Sequence, residues 1–445
     1  MKEEIAAHKT IAWPSVTIYV LNWNGRTLLQ SCLPLLAQLD YPDYDIVLID
    51  NHSEDDSVAY TKENFPTITI IENEANIGFS KGMNVGLRQH QSDVAVLLNT
   101  DVDVRPNWLT ELVRPIVEDA TVGITGSKLY YGDGRTLQHA GVMMEYPRGL
   151  GRHRFYQEED VGQSDTLCEV DSVTGAAMAI RQTVLQTIGC LDEDFSPFYY
   201  EETDFCLRAR AAGFKIMYAP QSVAIHHESM TFKKYSRPLF HNINRNRLLF
   251  LLKHLPAAEF LGAFVPAEKE FLHECPLAEQ LQTMYQIYVE MLLQLDLVLQ
   301  PRGLQDRTAV FMDVLVDLAA TAVSRIPISY QPPRQTDLIA KATLPRQPMP
   351  SGNSALGRVA ARGRQWWGNI ATRWLLQEVK IQQSTFNQDA ARKLDEQYSQ
   401  QQFAAREIAL LATEIASLQH NLTAKKTNLR TLQERADHQT ENFSL

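Results

Sequence analysis

Two aspartates stand directly after an apolar run in the segment LLNTDVDV. Asp101 and Asp103 follow residues 94–98, whose composition is typical of a buried strand. Carboxylates in a D-x-D arrangement can hold a divalent cation while leaving coordination positions for water and for the oxygens of a diphosphate. Aspartates are also common in surface turns, so the interpretation of this pair depends on its surroundings.

The surroundings of this pair alternate between strand and helix patterns. Residues 16–100 contain the apolar runs VTIYVL, YDIVLID, TITIIEN and VAVLL, separated by helical segments. This alternation predicts βαβ units and a mostly parallel sheet. Because ligands of such sheets bind at the carboxyl ends of strands, we expect the strand-end residues Asn22, Asp50 and Asp101 to line one pocket.

The segment NIGFSKGMNVG places Gly78, Gly82 and Gly86 four residues apart. At this spacing the glycines line one face of a helix, which can then approach a neighbouring group closely. Two interpretations are open, namely helix packing alone and direct contact with a bound nucleotide.

Length, charge and cysteine content restrict the class of protein. A chain of 445 residues with 44% apolar residues predicts one large domain and at least one smaller one. A net charge of −11 argues against a general nucleic-acid binder. The five cysteines form no C-x-x-C pair, so neither a disulfide framework nor a zinc site is indicated. Without a signal-peptide pattern or a membrane-length apolar run, a cytoplasmic protein is expected.

The sequence beyond the α/β pattern predicts several further segments. The expected organisation is an α/β domain at 1–240, a helical appendage at 241–330, a linker at 331–357, a basic Trp-rich amphipathic helix at 358–383 and a coiled coil at 385–437. The Trp-rich helix is interpreted either as a peripheral contact with the inner face of the cell membrane or as a helix packed on the α/β domain. The heptad spacing predicts a homo-oligomer, with a single surface helix as the alternative.

A series of ordered motifs indicates the family. The motifs are VTIYVLNWNG, VLIDNHSEDDS, ENEANIGFSKGMNVG, LLNTDVDV, DSVTGAAMAIR, LDEDFSPFYYEETDFCLRARAAGFKIMYAP and VAIHHES. In this order, over residues 14–250, the chain resembles the family 2 glycosyltransferases of the GT-A fold, within them the bacterial rhamnosyltransferase-like branch. The resemblance implies a Rossmann-like, mostly parallel α/β sheet over 1–240, followed by a C-terminal helical region and a coiled coil.

The resemblance also implies a site for a nucleotide-sugar and a metal ion. The donor-binding positions are Asn22, Asp50, Asn76, Gly78, Gly82, Asn84 and Asp101. Asp50 would contact the base and Asp101 would lie near the ribose or diphosphate. Asp103, Asp101 and the strand-end His226 would ligate Mn²⁺ or Mg²⁺, with His227 as the fallback, and a histidine ligand favours Mn²⁺. Without the resemblance, a strand-end histidine is more often structural.

The catalytic base of the family comes from an acidic pair, usually Glu-Asp, which corresponds here to Glu201 and Glu202 in YYEETDFCLR. Glu202 is the expected base, and Asp204 is the alternative, either as base or as a residue that holds the acceptor. Since Glu is one methylene longer than Asp, a deeper pocket or a shifted acceptor is expected. Taken without the resemblance, these acids could simply complement a helix dipole.

The turn formed by Thr174, Gly175 and Ala176 resembles the family's small-residue turn beneath the acceptor, with a tight turn lacking a ligand as the alternative. The expected function is therefore a metal-dependent inverting glycosyltransferase of cell-surface polysaccharide synthesis. It would move a sugar, rhamnose in the first instance, from a nucleoside diphosphate to a hydroxyl of a glycan or lipid-linked acceptor. A dTDP-linked donor is implied, and UDP- and GDP-linked donors stay open.

Other functions fit the sequence less well. A sugar nucleotidyltransferase usually has a Gly-rich, basic loop after its first strand, where this chain has LNWNG. A dinucleotide-dependent oxidoreductase would need G-x-G-x-x-G at the same place. A non-catalytic scaffold acting through the coiled coil is the remaining alternative, and the intact acids and histidine argue against it.

Overall fold

A computed structural model describes residues 12–227, 237–304 and 307–326 of the chain. The predicted linker, Trp-rich helix and coiled coil, at 331–357, 358–383 and 385–437, lie outside the described residues.

The first half of the α/β region is a parallel sheet covered by helices. Its elements are β1 (Val16–Asn22), α1 (Arg26–Leu36), β2 (Tyr44–Asp50), α2 (Ser57–Asn64), β3 (Thr69–Glu72), α3 (Phe79–Leu87) and β4 (Val94–Asn99). The strand order is β4-β1-β2-β3, all parallel. In this register Asn22 lies beside Asp50, because both residues end their strands.

The second half extends the same sheet with both parallel and antiparallel strand pairs. Its elements are β5 (Val102–Val104), α4 (Trp108–Glu118), β6 (Val122–Tyr130), β7 (Leu137–His139), β8 (Val142–Glu145), β9 (Leu150–His153), β10 (Cys168–Glu169), β11 (Ala177–Arg181), α5 (Gln182–Ile188), α6 (Glu201–Ala211) and β12 (Lys215–His226). The order continues from β4 as β11-β6-β12-β10, with β11 antiparallel to both neighbours. Strands β8 and β9 form a separate hairpin.

The two faces of the sheet bury separate apolar clusters. Successive strand residues point to opposite faces, so Val20 and Leu98 join the cluster under α1 and α4, whereas Tyr19 and Leu97 join the cluster under α3 and α6. A strand buried on both faces reads as a continuous apolar run. This is why the strands could be identified in the sequence.

A set of helices follows the sheet. It consists of α7 (Arg237–His254), α8 (Ala257–Glu259), a π-helical turn (Phe260–Phe264), α9 (Val265–Glu274), α10 (Ala278–Leu299) and α11 (Thr308–Ser324). Polar pairs separated by 49 residues join α7 to α10, namely Arg237 with Gln286, His241 with Glu290 and Arg245 with Gln294. Since residue numbers increase together in these pairs, α7 and α10 run in the same direction.

A fully buried ion pair fixes α7 to α9. The guanidinium of Arg247 lies 2.5 and 3.0 Å from the two carboxylate oxygens of Glu268, and neither side chain is exposed. The Tyr288 hydroxyl donates to the same carboxylate at 2.9 Å, and Arg247 donates to the backbone oxygen of Arg148 in the β8–β9 turn. The helices are thus attached to the α/β region through buried polar contacts.

The predicted fold class is confirmed: a mixed α/β sheet with a parallel core, followed by a helical region. Helix α6 ends as predicted, close to Gly213, whose φ of +91° is a left-handed conformation suited to glycine. Among the residues that the structure describes, no helix is both long and apolar enough to cross a bilayer.

Candidate active site

The ends of β1 and β2 form one wall of the site. The side-chain nitrogen of Asn22 donates to Asp50 Oδ1 at 2.8 Å. Asp50 also accepts from the hydroxyl of Ser53 at 2.6 Å and from its backbone N–H at 2.9 Å. Asp50 is only 3% exposed. The structure therefore places both predicted strand-end residues at this edge and engages Asp50 within its own loop.

The loop before α3 joins this wall to the loop that precedes α6. The side chain of Asn76 accepts from the backbone N–H of Gly78 at 3.1 Å, and the oxygen of Gly78 accepts from Asn51 at 3.0 Å. Gly78 has a φ of +82°, and a Cβ there would lie 2.8 Å from Ser196 Oγ. Glycine is required at this position by both its backbone conformation and its close neighbour.

The other glycines of this helix face the sheet. A Cβ on Gly82 would lie 2.7 Å from Leu21, and one on Gly86 would lie 2.5 Å from the ring of Tyr19. Contacts this short mean that α3 packs directly on β1 through its glycine face. Of the two interpretations of the glycine spacing, this geometry favours helix packing for Gly82 and Gly86.

Asn84 braces a neighbouring loop. Its amide nitrogen donates to the backbone oxygen of Leu191 at 2.9 Å and to Glu193 at 3.0 Å, and its oxygen accepts from the Leu191 N–H at 3.0 Å. Asn84 is 1% exposed. Both amide atoms are thus occupied within the fold, which is a different role from the expected contact with a donor.

A short antiparallel ladder brings the D-x-D segment to the histidines. Strand β5 pairs with the end of β12, so that Asp103 lies opposite Ile225. His226 Nε2 lies 3.2 Å from Asp101 Oδ1, and His227 Nε2 lies 2.6 Å from Asp103 Oδ2. The predicted ligand and its fallback are therefore both at the site, each facing a different aspartate.

Gln138 on β7 orients one of these histidines. Its side-chain oxygen lies 2.7 Å from His226 Nδ1. If Nδ1 carries the proton of the neutral ring and donates this hydrogen bond, the unprotonated Nε2 faces Asp101. A polar group behind a histidine in this way is the usual arrangement at metal sites, where it fixes the tautomer and the ring orientation.

The side chains of this ladder suit a divalent cation in their chemistry. Carboxylate oxygens and imidazole nitrogens are ordinary ligands of Mn²⁺, whereas Mg²⁺ prefers oxygen. Within the described part of the chain, no three His, Cys, Asp or Glu side chains converge on one point. The donor groups are instead arranged as two carboxylate–imidazole pairs.

The acidic pair, Glu201 and Glu202, lies at the first turn of α6, the acidic helix. Burial, together with the negative charge of Glu202, holds the pKa of Glu201 well above its usual value. Burial also raises the pKa of Glu202 to about 7. Glu202 is partly exposed whereas Glu201 is 4% exposed. Near neutral pH, Glu202 is thus the accessible member of the pair and is poised to exchange a proton.

The small-residue turn lies against this acid. A Cβ on Gly175 would lie 3.9 Å from the Cβ of Glu202 and 3.2 Å from the ring of Phe79. The oxygen of Ala176 accepts from the backbone N–H of Asn99, the last residue of β4, at 3.0 Å. Since Asn99 precedes the D-x-D segment by two residues, this turn links the acidic helix to the aspartates.

A second link runs through β7. The backbone N–H of Thr174 donates to His139 Nε2 at 3.4 Å, and Gln138, the adjacent residue, contacts His226. His139 also lies 3.1 Å from His153 of β9 through their Nδ1 atoms. The turn, the histidine ladder and the acidic helix therefore belong to one site at the carboxyl edge of the sheet.

Asp204 forms hydrogen bonds with one histidine and one arginine. His254 Nε2 lies 2.6 Å from its Oδ1, and Arg208 Nε lies 2.7 Å from its Oδ2. Burial opposes ionisation of Asp204, but the hydrogen bond with His254 and the charge of Arg208 outweigh it and lower its pKa. A carboxylate with a lowered pKa is a weak base. Asp204 anchors α6 to α7, in place of the roles in proton transfer or acceptor binding considered from the sequence.

Gln138 and His254 were not identified from the sequence. Each contacts a residue of the site that is far away along the chain, and neither belongs to a local motif. His254 lies 50 residues after Asp204, in the segment interpreted as a separate appendage. A local sequence pattern gives no signal for such contacts.

Comparison of the sequence with known proteins identifies the family. The description "Glycosyltransferase like family 2" matches residues 14–244, which is more than half of the chain. The chain therefore belongs to this family of glycosyltransferases.

Individual relatives match the same region. The chain is 28% identical over 226 residues to an uncharacterised protein of Sinorhizobium fredii, which covers 48% of this chain and 25% of the relative. It is 30% identical over 213 residues to an O-antigen biosynthesis protein of Myxococcus xanthus, covering 46% and 16%. It is 22% identical over 208 residues to the N-acetylglucosaminyl-diphospho-decaprenol L-rhamnosyltransferase of Mycobacterium tuberculosis, covering 41% and 66%. The chain spans a quarter or less of the length of the first two.

Solved structures of glycosyltransferases are also similar. A mannosyltransferase from Pyrobaculum calidifontis in complex with GDP-Man and Mn²⁺ has 16% identity and a TM-score of 0.41, covering 72% of this chain and 89% of the other. GalNAc-T7 with UDP, GalNAc and Mn²⁺ has 15% identity and a TM-score of 0.46, covering 59% and 52%. A likeness at this level bears on neither substrate nor mechanism.

Proposed function

We propose that this chain is a metal-dependent inverting glycosyltransferase that moves a sugar from a nucleoside diphosphate to a hydroxyl of a glycan or lipid-linked acceptor. The observation that supports this most is the position of Glu202. Its pKa is raised to about 7 and it lies against the Gly175 turn, where the oxygen of Ala176 accepts from the backbone N–H of Asn99, two residues before Asp101. A base and a candidate site for a diphosphate therefore share one edge of the sheet.

Glu202 would act as the single base of a direct displacement. The acceptor oxygen would form its bond to the anomeric carbon as the bond from that carbon to the diphosphate breaks, and Glu202 would take the hydroxyl proton. Asp204 is held by His254 and Arg208, and Glu201 is buried with its pKa well above the usual value. One available carboxylate supports inversion, since a second nucleophile would be needed for a covalent intermediate.

Asp103, Asp101 and His226 would supply the ligands of the divalent cation, with His227 as the fallback. The ion would stabilise the negative charge that develops on the departing diphosphate. A histidine ligand favours Mn²⁺ over Mg²⁺. Gln138 would keep the Nε2 atom of His226 directed toward Asp101.

Rhamnose is the proposed sugar. A relative of the chain is named an L-rhamnosyltransferase that acts on a diphospho-decaprenol lipid, and another is named for O-antigen biosynthesis. Both names agree with a role in cell-surface polysaccharide synthesis and with a lipid-linked or glycan acceptor. The corresponding donor would be dTDP-rhamnose, with UDP- and GDP-linked sugars as the comparison set.

The test is calorimetric binding of nucleoside diphosphates and intact dTDP-, UDP- and GDP-sugars, with Mn²⁺, Mg²⁺ or a chelator. The full chain is compared with Asp103→Ala and with Asp45→Ala. Asp45 is exposed near the amino end of β2, so its removal changes the net charge equally but leaves the site intact. One nucleotide is expected to bind only with metal, to the wild type and to Asp45→Ala.

Loss of that binding in Asp103→Ala supports the proposal and names the donor base. Binding of no nucleotide under any condition contradicts it, and the non-catalytic scaffold then becomes the better explanation. Metal-independent binding that is unaffected by Asp103→Ala contradicts the assignment of the cation site alone.

A further inference from the structure

The turn before the acidic helix has an unfavourable backbone conformation. Tyr199 and Tyr200 have φ values of 75° and 73°, and Tyr200 is the residue from which α6 begins. Left-handed backbone costs a residue with a side chain roughly 1–2 kcal/mol. Two such residues in succession need contacts that hold them, because otherwise the turn would relax to an ordinary conformation.

The side chain of Asn246 on α7 contacts the backbone of this turn. The amide nitrogen of Asn246 lies 2.7 Å from the backbone oxygen of Phe195, 3.0 Å from that of Phe198 and 2.8 Å from that of Tyr199. Asn246 is fully buried, and its own oxygen accepts from Arg245 at 2.7 Å. Its two N–H groups are therefore shared among three carbonyl oxygens of the turn and the residues before it, and both polar atoms of the amide are paired.

Neighbouring residues on α7 hold the segments on both sides of the turn. Lys253 pairs with Asp192 before the turn, and His254 contacts Asp204 within α6. The ring of Phe250 packs on that of Tyr200 with their centroids 5.6 Å apart. Residues 246, 250, 253 and 254 recur at helical spacing, so one face of α7 follows the whole segment from 192 to 204.

We propose that Asn246 is a positioning residue for the base, which rests on the proposed function of Glu202. Glu202 is the second residue of α6 and follows the turn that Asn246 holds. Loss of the amide would allow this turn to relax and move Glu202 away from the Gly175 turn. Asn246 lies beyond residues 14–244, the segment shared with the family. A misplacement of about 1 Å lowers the rate by roughly 100-fold.

The matched control is Asn244, two residues away on the same helix. Asn244 is also buried, at 8% exposed, and its amide donates to the backbone oxygen of Phe240 at 2.9 Å. Its oxygen accepts from Arg247 at 3.3 Å. These contacts stay within α7, so Asn244→Ala removes a buried amide from the helix without touching the turn.

The experiment compares the full-length wild type, Asn246→Ala and Asn244→Ala in sugar transfer and in backbone hydrogen exchange. Asn246→Ala is expected to lower kcat by about 100-fold with donor KM within about twofold, as expected for a displaced base. The acidic limb of its rate–pH profile is expected to move below about 7, because a displaced Glu202 is better hydrated. Amides of residues 198–204 are expected to exchange faster in Asn246→Ala only.

If Asn246→Ala does not fold, Asn246→Ser, which keeps one donor, takes its place. Unchanged hydrogen exchange at residues 198–204 would show that Asn246 does not hold the turn. Faster exchange with a kcat within about threefold of the wild type overturns the positioning role, and so does an equal loss in Asn244→Ala. A wild type inactive with every donor refutes the proposed function, whereas exchange still decides whether Asn246 holds the turn.

Discussion

Glu202→Gln is expected to change activity and stability in opposite directions. The amide has nearly the shape of the carboxyl group but cannot take a proton. Transfer is therefore expected to fall by about 10²- to 10⁴-fold, the usual contribution of a general base. The same substitution removes a titratable group whose ionised form is disfavoured by burial.

The size of the stability change follows from the pKa of Glu202. A rise from 4.5 to about 7 corresponds to about 3 kcal/mol between the two protonation states. Because the folded protein holds this proton more tightly than the unfolded chain, the free energy of unfolding falls as pH rises between these values. Glu202→Gln lacks this dependence. It is expected to exceed the wild type by up to about 3 kcal/mol at about pH 8, and to match it near 4.5.

Two measurements check this reasoning. Transfer rates at saturating substrate should rise through a pKa of about 7 in the wild type and stay low and flat in Glu202→Gln. Urea unfolding at several pH values gives the stability difference. Glu274→Gln, which removes one exposed carboxylate at the end of α9, should keep both wild-type profiles.

A wild-type rate that does not vary with pH near 7 would contradict the role of Glu202 as the base. A stability difference that is constant over the same range would show that folding does not raise the pKa of Glu202, even if the substitution abolishes activity.

Three further perturbations have defined outcomes. Arg247→Met leaves Glu268 buried without its partner and should lower the free energy of unfolding in urea by roughly 3–5 kcal/mol; an effect below about 1 kcal/mol contradicts this. Gly86→Ala, which usually stabilises a helix, should here cost roughly 1–3 kcal/mol because its Cβ would lie 2.5 Å from Tyr19; a rise in Tm would argue against the packing. Gln138→Leu removes the group that orients a histidine and should weaken Mn²⁺ binding by roughly 10- to 100-fold in calorimetry, whereas unchanged binding would exclude that role.

The strand ends of the site could be predicted because parallel strands obey a general rule. Asn22 and Asp50 each end an apolar run, and parallel βαβ units bring such ends to one edge. The position of these two strand ends needed only local pattern and chain direction. The turn at Gly175 was placed beneath the acceptor only through the resemblance to the family.

Contacts made by long-range pairing could not be predicted in the same way. Asp103 and His227 are 124 residues apart, and they meet because a three-residue strand pairs with the end of β12. So short a strand has no periodic signal of its own. The sequence could therefore suggest His226 and His227 as ligands but could not show which aspartate each one faces.

The polar residues around the acidic helix show a second limit of prediction from the sequence. A carboxylate at the start of a helix reads equally well as a base, a ligand or a dipole partner. Asp204 is distinguished from Glu202 only by His254, which comes from a helix assigned to another segment. Asn84 likewise appeared to belong to a glycine motif for the donor, whereas it is committed to the loop at Leu191.

Helix α7 begins before residue 244 and ends at His254, so the end of the shared family segment falls inside it. Chimeras between this protein and its relatives should therefore be joined after α7 and not at the family boundary. A junction at residue 244 would take α6 from one parent and, from the other, the part of α7 whose residues contact α6 and the turn before it. The smallest segment that can be exchanged between relatives without separating these contacts therefore includes all of α7.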